Sequence, residues 1–277
     1  MVMLQNGMLF KWENEIGRKV YRQSLLVDEA SVVSLLSIFE ILPYLLYFKY
    51  LVFAGDAKQG SPYCAGIYEP VSELDLLEER ISIEEDAFVK NTFLDIQYRM
   101  PKDMGNIISA TFYSGQLQSF KEAPQTSSCL IWDFEARWYE RDNSRYSPDE
   151  GKRALRIVRA LSKKYPEKEA IVLTFYSSQV DYFRHLCRKP SGDVEYPCCT
   201  VDGYQGKQAH FVVLLTCCYG PKEPKKFICN RKRVNVALSR AMVGLVVLGS
   251  LQKLQMDPTW EVILPSFTKV TDIRDFL

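Results

Sequence analysis

Short runs that are apolar at nearly every position constrain this chain more than any other feature. Ala170 to Thr174, Phe211 to Thr216 and Gly244 to Leu248 do not alternate between apolar and polar. A strand apolar on both sides needs both faces of its sheet covered, as in a parallel sheet with helices above and below. Related runs at Leu25–Val27, Leu51–Ala54, Phe93–Ile96, Leu130–Trp132 and Cys198–Val201 complete the predicted strands, with amphipathic patterns between them. The clearest predicted helix is Pro148 to Lys164. Ser147 is its N-cap, Pro148 its first residue, and Glu150 closes a capping box. Leu155, Val158 and Leu161 form its apolar side, and Tyr165-Pro166 stops it. The pattern is α/β and doubly wound.

With 277 residues, 47% hydrophobic and 25% charged, the composition is globular and long enough for one large domain or two modest ones. A net charge of +1 excludes a general polycation, so a nucleic-acid partner must be held by local patches. Lys222 to Arg233 holds six basic residues and one acidic, whereas Glu69 to Asp86 holds eight acidic residues and one arginine and reads as a solvated face. Ser119 to Ser147 is polar and turn-rich, a predicted loop insertion.

The eight cysteines include two vicinal pairs, Cys198-Cys199 and Cys217-Cys218, and no CxxC spacing. Zinc sites need spaced pairs, so the cysteines read as small core residues in a reducing compartment. No basic segment with a cleavage site opens the sequence. Val32 to Phe53 is long enough to span a bilayer but contains Glu40, Pro43 and Lys49. A short helix (Leu35, Leu36, Phe39, Leu42) followed by a buried strand (Tyr50 to Ala54) fits it better. These features read as a soluble, intracellular chain, cytoplasmic or nuclear, with no membrane partner.

Candidate chemistry falls at strand ends, where open α/β sheets keep their working residues. The strand before Asp28-Glu29 ends in two carboxylates: an Asp there can hold Mg²⁺, and a Glu can orient and deprotonate water. The plainer reading of the pair is a helix N-cap. Gly55-Asp56-Ala57-Lys58-Gln59 repeats the logic, and Gln59 could sense a γ-phosphate or lie in an ordinary turn. Arg99 sits between a strand and a helix opened by Pro101. Asn230 to Ala241 reads as one helix presenting Arg233 and Arg240, seven residues apart, on one face. Arginine suits phosphate because its planar fork is always charged. Thr200 to Gln208 follows a strand with two glycines, Gly203 and Gly206. Ile171 to Gln179 empties a strand into Tyr176, two serines and Gln179 at a helix start, a pattern that can hold a nucleic-acid backbone and stack a base. Each segment alone also reads as a cap, a turn or a surface charge.

Taken in order, the segments resemble motifs II to VI of superfamily-one helicases, most closely the 5′-to-3′ branch with the RNA-surveillance helicases and senataxin. Asp28-Glu29-Ala30-Ser31 is similar to the Walker B box, and Gly55 to Gln59 to motif III. Gln97-Tyr98-Arg99-Met100-Pro101 and Asn235-Val236-Ala237-Leu238-Ser239-Arg240-Ala241 match nearly letter for letter. Phe112 to Leu117 and Val201 to Gly206 also fit. The resemblance implies RecA-like parallel sheets flanked by helices, with a partial first RecA-like domain (1–90) followed by a complete second one (91–277). By resemblance Asp28 holds Mg²⁺, Glu29 activates water, and Gln59 couples nucleotide to strand binding. Arg99 and Arg240 reach the γ-phosphate. Gly206, Gln208 and Arg233 line the nucleotide, while Tyr176, Gln179 and Thr200 face nucleic acid.

The sequence departs from the family at several points. Gln208 stands where an acid contacts the ribose, Gly60-Ser61 replaces Leu-Pro, and Met242 replaces a basic residue. No G-x-x-x-x-G-K-[ST] phosphate loop occurs in the 277 residues. ATP and Mg²⁺ are therefore expected only where that loop is supplied. The expected function is the C-terminal part of an ATP-dependent RNA/DNA helicase, inactive alone. Its partners would be single-stranded RNA or DNA and proteins of an RNA-processing complex. The alternative is a non-catalytic module that binds nucleic acid or protein.

Overall fold

The computed structural model describes residues 4–5, 8–9, 22–34, 37, 43, 48–62, 72, 74–76, 91–122, 128–188, 196–217 and 227–272. They fall into two compact units, Met1–Thr92 and Phe93–Leu277.

In the first unit, β1 (Leu4–Gln5) and β2 (Met8–Leu9) pair antiparallel, and β3 (Arg22–Val27) and β4 (Phe48–Phe53) pair parallel. Leu25, Val27 and Ala30 are buried against Val33, Phe48, Phe53 and Leu74. The other side is open, with Leu26, Tyr50 and Val52 exposed, and on the first side Leu51, paired with Leu25, is exposed as well. The strand expected to be buried is thus half-covered, because among the described residues only β3 pairs with it. The short helix expected around Leu35 to Leu42 lies outside the described residues.

The second unit is built on a six-stranded, fully parallel sheet ordered β11-β10-β12-β13-β7-β14. Its strands are β7 (Cys129–Asp133), β10 (Ala170–Thr174), β11 (Cys198–Thr200), β12 (Ala209–Leu215), β13 (Ala241–Gly249) and β14 (Thr268–Val270). Period two sorts every apolar run onto both faces. On one face Ile131, Ile171, Leu173, Val212, Leu214, Leu245 and Val247 join a core with α1 (Lys102–Phe112), α4 (Arg231–Leu238) and α5 (Pro258–Ile263). On the other, Trp132, Val172, Val213, Leu215, Val246 and Leu248 pack under α2 (Pro148–Lys164) and α3 (Ser177–Cys187). Each such side chain contributes about 1.5–3 kcal/mol by leaving water, which accounts for strands apolar at successive positions. The fold is α/β with helices on both faces, as the sequence pattern implies. Among the described cysteines, Cys129, Cys187, Cys198 and Cys217 are buried thiols.

Three local expectations change. Phe93 to Asp95 are not strand: β5 is only Ile96–Gln97, paired parallel with β6 (Gln118–Ser119), and Phe93 and Leu94 are exposed. Ser119 to Ser147 is not a plain loop either. Besides β7 it holds a hairpin, β8 (Tyr139–Arg141) and β9 (Ser144–Tyr146), closed by Asp142 and Asn143, both at positive φ. Two left-handed residues make the tight turn that matches strand twist.

The capping box at Ser147 is half-formed. The Ser147 hydroxyl accepts from the Glu150 N–H at 3.2 Å. The Glu150 carboxylate, however, accepts from the Cys217 N–H at 3.0 Å, and the Ser147 N–H donates to Gln179 Oε1 at 2.5 Å. Glu150 is fully buried, and that burial pushes its carboxyl from the ordinary 4.5 up to about 8. The folded state therefore holds the proton more tightly than the unfolded one. Its contribution is full at and below the ordinary carboxyl range and is lost as pH rises toward about 8. Glu150→Gln, which cannot ionise, should be near-neutral at pH 5 and stabilising by about 1–3 kcal/mol at pH 8. Thermal unfolding at the two pH values checks this; an equal difference at both contradicts it.

Candidate functional site

In the first unit, two neighbouring strand ends carry the carboxylate and Gly-Asp segments. The Ala54 N–H donates to the Val27 carbonyl at 2.8 Å, and the Ala30 N–H to the Ala54 carbonyl at 2.9 Å, locking the two ends together. A Cβ on Gly55 would stand 2.8 Å from the Ala30 nitrogen, so only glycine lets the chains approach this closely. Asp28 and Glu29 are exposed just beyond β3, and Glu29 sits at φ 51°. A left-handed glutamate costs about 1–2 kcal/mol and persists only where its surroundings impose it. After β4, Asp56 Oδ1 accepts from the Lys58 N–H at 2.9 Å, and the Asp56 carbonyl accepts from the Gln59 N–H at 2.9 Å. The turn leaves Gln59 half-buried at the strand end.

The second unit gathers three distant segments around Arg99. Gln97 moulds the first: its Oε1 accepts from the N–H groups of Arg99 (3.0 Å) and Met100 (2.7 Å), and its Nε2 donates to the Met100 carbonyl and Ser119 Oγ. Arg99 Nε donates to Gln208 Oε1 at 2.9 Å, and its Nη1 to the Ser239 carbonyl at 3.0 Å. Lys121 Nζ donates to the Arg99 carbonyl. Arg99, Gln208 and the Ser239–Arg240 step are thereby one network. Gly206, at φ +74°, and exposed Lys207 form the turn leading into it. Arg233 Nε lies 2.8 and 3.0 Å from the two carboxylate oxygens of Asp202, tying the opening of α4 to the same loop.

Arg240 does not stand where the sequence spacing places it. The helix ends at Leu238 with Ser239 as C-cap, and β13 begins at Ala241, so Arg233 and Arg240 do not share a helix face. Arg240 is 2% exposed. Its guanidinium donates to the carbonyls of Val236 (3.0 Å) and Lys207 (3.3 Å) and to Ser239 Oγ (2.8 Å). It is a buried strut joining the Gly206 turn to the end of α4. Losing a charged donor to three acceptors in the interior, Arg240→Ala should cost about 2–4 kcal/mol of folding stability. Lysine should not restore it, since a point charge cannot span the three acceptors. Urea midpoints of the variants check this; a loss below about 0.5 kcal/mol, the level of an ordinary surface change, contradicts it.

The expected nucleic-acid residues divide. Gln179 is fully buried, its Oε1 accepting from the Ser147 N–H and from Cys217 Sγ, so it organises the helix starts instead of facing a ligand. Tyr176 is 5% exposed, with Arg145 5.9 Å from its ring centre. Thr200 is half-buried, and its hydroxyl accepts from the Gly203 N–H at 3.2 Å. The likeness of Tyr176 and Gln179 to strand-binding residues comes from their place at the end of β10, but the β8–β9 hairpin packs there: Ser178 Oγ donates to the Arg141 carbonyl, and the Ser178 N–H to Ser144 Oγ. Of the basic segment, Lys222 to Lys226 lie outside the described residues. Gln97 was missed as a positioning residue, though its place two residues before Arg99 could have flagged it.

The arrangement defines a class: an α/β domain with a polar arginine-centred network, in a chain that also carries paired carboxylates at a strand end. The chain matches the AAA_12 family, described as an AAA domain, over residues 75–252, and belongs to it. It is similar to an uncharacterised ATP-dependent helicase of Methanocaldococcus jannaschii, 27% identical over 77% of this chain and 34% of the relative. Helicase sen1 of Schizosaccharomyces pombe is 24% identical over 86% of the chain and 15% of its own length. The regulator of nonsense transcripts 1 of Dictyostelium discoideum is 24% identical over 88% and 20%. The chain thus resembles superfamily-one helicases of the RNA-surveillance and senataxin branch, and spans at most about a third of the length of these three. Among the described residues no helix is long and apolar enough to cross a membrane.

Proposed function

We propose that the chain is the C-terminal part of an ATP-dependent helicase that couples nucleotide hydrolysis to movement on single-stranded RNA or DNA inside the cell. The observation that carries this reading is the hydrogen-bonded convergence of Arg99, Gln208 and Ser239 from three separate motif segments. Asp28 is the residue that would hold Mg²⁺, and its exposed carboxylate at a strand end suits a hard cation. When bound, that ion neutralises charge on the phosphates. Glu29 takes the proton of the attacking water, Gln59 links the two strand ends to the nucleotide, and Arg99 offers the planar cation for developing phosphate charge. Gly206, Gln208 and Arg233 shape the nucleotide-facing loop, with Arg240 bracing it from within. Thr200 lies toward the nucleic-acid strand. The cradle for the β- and γ-phosphates comes from residues outside these 277.

The test is Mg²⁺-dependent ATP hydrolysis by the protein purified at its native length from its own cells. Turnover that rises at least about tenfold with single-stranded RNA or DNA supports the motor. Nucleic-acid binding without turnover favours the alternative, a binding module. Gln208 in place of an acid is the feature that speaks for that alternative.

A further inference from the structure

We propose that the outer face of α2 is a second nucleic-acid surface, a ridge that seats the phosphate backbone of a duplex. It rests on the helicase reading only for the class of partner. From Gly151 to Pro166 the sequence holds six cations and no acid. Five of them are exposed, and four of these, Lys152, Arg156, Arg159 and Lys163, are spaced by four, three and four residues, which aligns them along one side of the helix. At 1.5 Å per residue the line is about 16 Å long. None of the four pairs with a carboxylate among the described residues, unlike Arg141, Arg145 and Arg233, each of which has at least one such partner. Arg153, between them, is turned inward over the Phe134 ring at 3.9 Å. On the same face of the sheet lie exposed Arg184 of α3 and Arg188, the residue that caps its end.

The chemistry selects the partner. Past the acidic first turn of α2 (Asp149, Glu150), a chain of net charge +1 that gathers such a row of cations has a local field where its total has almost none. Single strands are held by cations combined with rings on which bases stack. A protein partner is anchored by large apolar or aromatic side chains at the centre of the contact. No large apolar side chain of α2 is exposed, so the ridge lacks both devices. A duplex asks for neither: its closely spaced phosphates are recognised by position and charge alone. The ridge lies along a helix packed on one face of the sheet, whereas Thr200 stands at the end of β11, so the two surfaces are built from different elements.

The experiment uses the 277-residue chain and its Lys152→Ala/Arg156→Ala/Arg159→Ala/Lys163→Ala variant. Anisotropy of a labelled 20-base-pair RNA duplex and a labelled single-stranded 20-mer is followed through a potassium chloride series. Alanine preserves helix propensity, and a glutamine version of the same four positions serves if the alanine chain does not fold. Duplex affinity should fall at least about tenfold at low salt, and the slope of log K against log salt should lessen by about 3–4, near 0.9 for each lost phosphate contact. Single-strand affinity should stay within about twofold. An unchanged duplex slope, with single-strand binding intact, overturns the ridge and leaves the helicase reading standing. Binding of neither probe by the unaltered chain overturns the ridge, and the hydrolysis test on native-length protein decides the helicase reading separately. Polyglutamate held through the same four residues more tightly than the duplex overturns the assignment in favour of an acidic protein.

Discussion

Arg99→Ala in the native-length protein is expected to reduce ATP turnover about 10³-fold, the scale on which an arginine directed at transferring phosphate acts. The same change should barely move folding stability. Arg99 is half-buried, and its side-chain hydrogen bonds run to an exposed Gln208 and to one backbone carbonyl. The turn that carries it is made by Gln97, whose amide bonds the Arg99 and Met100 N–H groups whatever side chain follows. Arg99 and Arg240 therefore separate two roles that the motif spacing merges. Arg99 is held at the edge of the network by the exposed Gln208 side chain and the Ser239 carbonyl, which it can exchange for phosphate. Arg240 is enclosed, with its donors on backbone and hydroxyl oxygens. Turnover and urea midpoint measured on both variants should sort them oppositely, with Arg99→Ala active-site-deficient but stable and Arg240→Ala unstable first. Equal losses of stability would contradict the distinction.

What could be read from the sequence follows from how local each signal is. β10 is legible to the residue because Ala170 to Thr174 is buried on both faces and follows the polar turn at 166–169. Helix α2 is equally plain, since Ser147, Pro148 and the stop at Tyr165 act within one turn of its ends. The partners of Glu150 are not local. A carboxylate three residues past an N-cap serine reads as half of a capping box, and only the arrival of Cys217, 67 residues later, draws it away. Arg240 fails for a related reason: a seven-residue spacing implies a shared face only if the helix persists, and Ser239 ends it. Phe93 and Leu94 look like strand residues, but apolarity does not create a pairing partner, and both remain exposed. The hairpin at Asp142-Asn143 had a signal. Two residues tolerant of left-handed backbone stand between short runs with tyrosine at their outer ends. The convergence of Arg99 with Gln208 and Ser239 spans 109 and 140 residues. No periodicity reports such distances, and the order of the motifs was the only guide to it.

The carboxylate pair makes the second large prediction. Glu29 stands exposed beyond β3 in a left-handed conformation fixed by the bond between Ala30 and Ala54. In the proposed helicase reading, a glutamate so placed, beside a second carboxylate suited to a divalent cation, is the base that takes a proton from water. Glu29→Gln keeps the shape and hydrogen bonding of the side chain but removes its basicity. General-base catalysis typically supplies 10²–10⁴-fold, so the substitution should abolish most turnover while leaving nucleotide binding in place.

The most direct measurement is therefore single-turnover hydrolysis of ATP with Mg²⁺ and single-stranded RNA, on native-length protein and its Glu29→Gln variant, with nucleotide binding followed in parallel. A rate at least about 100-fold lower, at unchanged nucleotide affinity, is the result expected of a general base. Undiminished hydrolysis by the variant would contradict Glu29 as the base, and a native-length protein that binds nucleic acid but hydrolyses no ATP would contradict the assignment of this chain to a helicase motor.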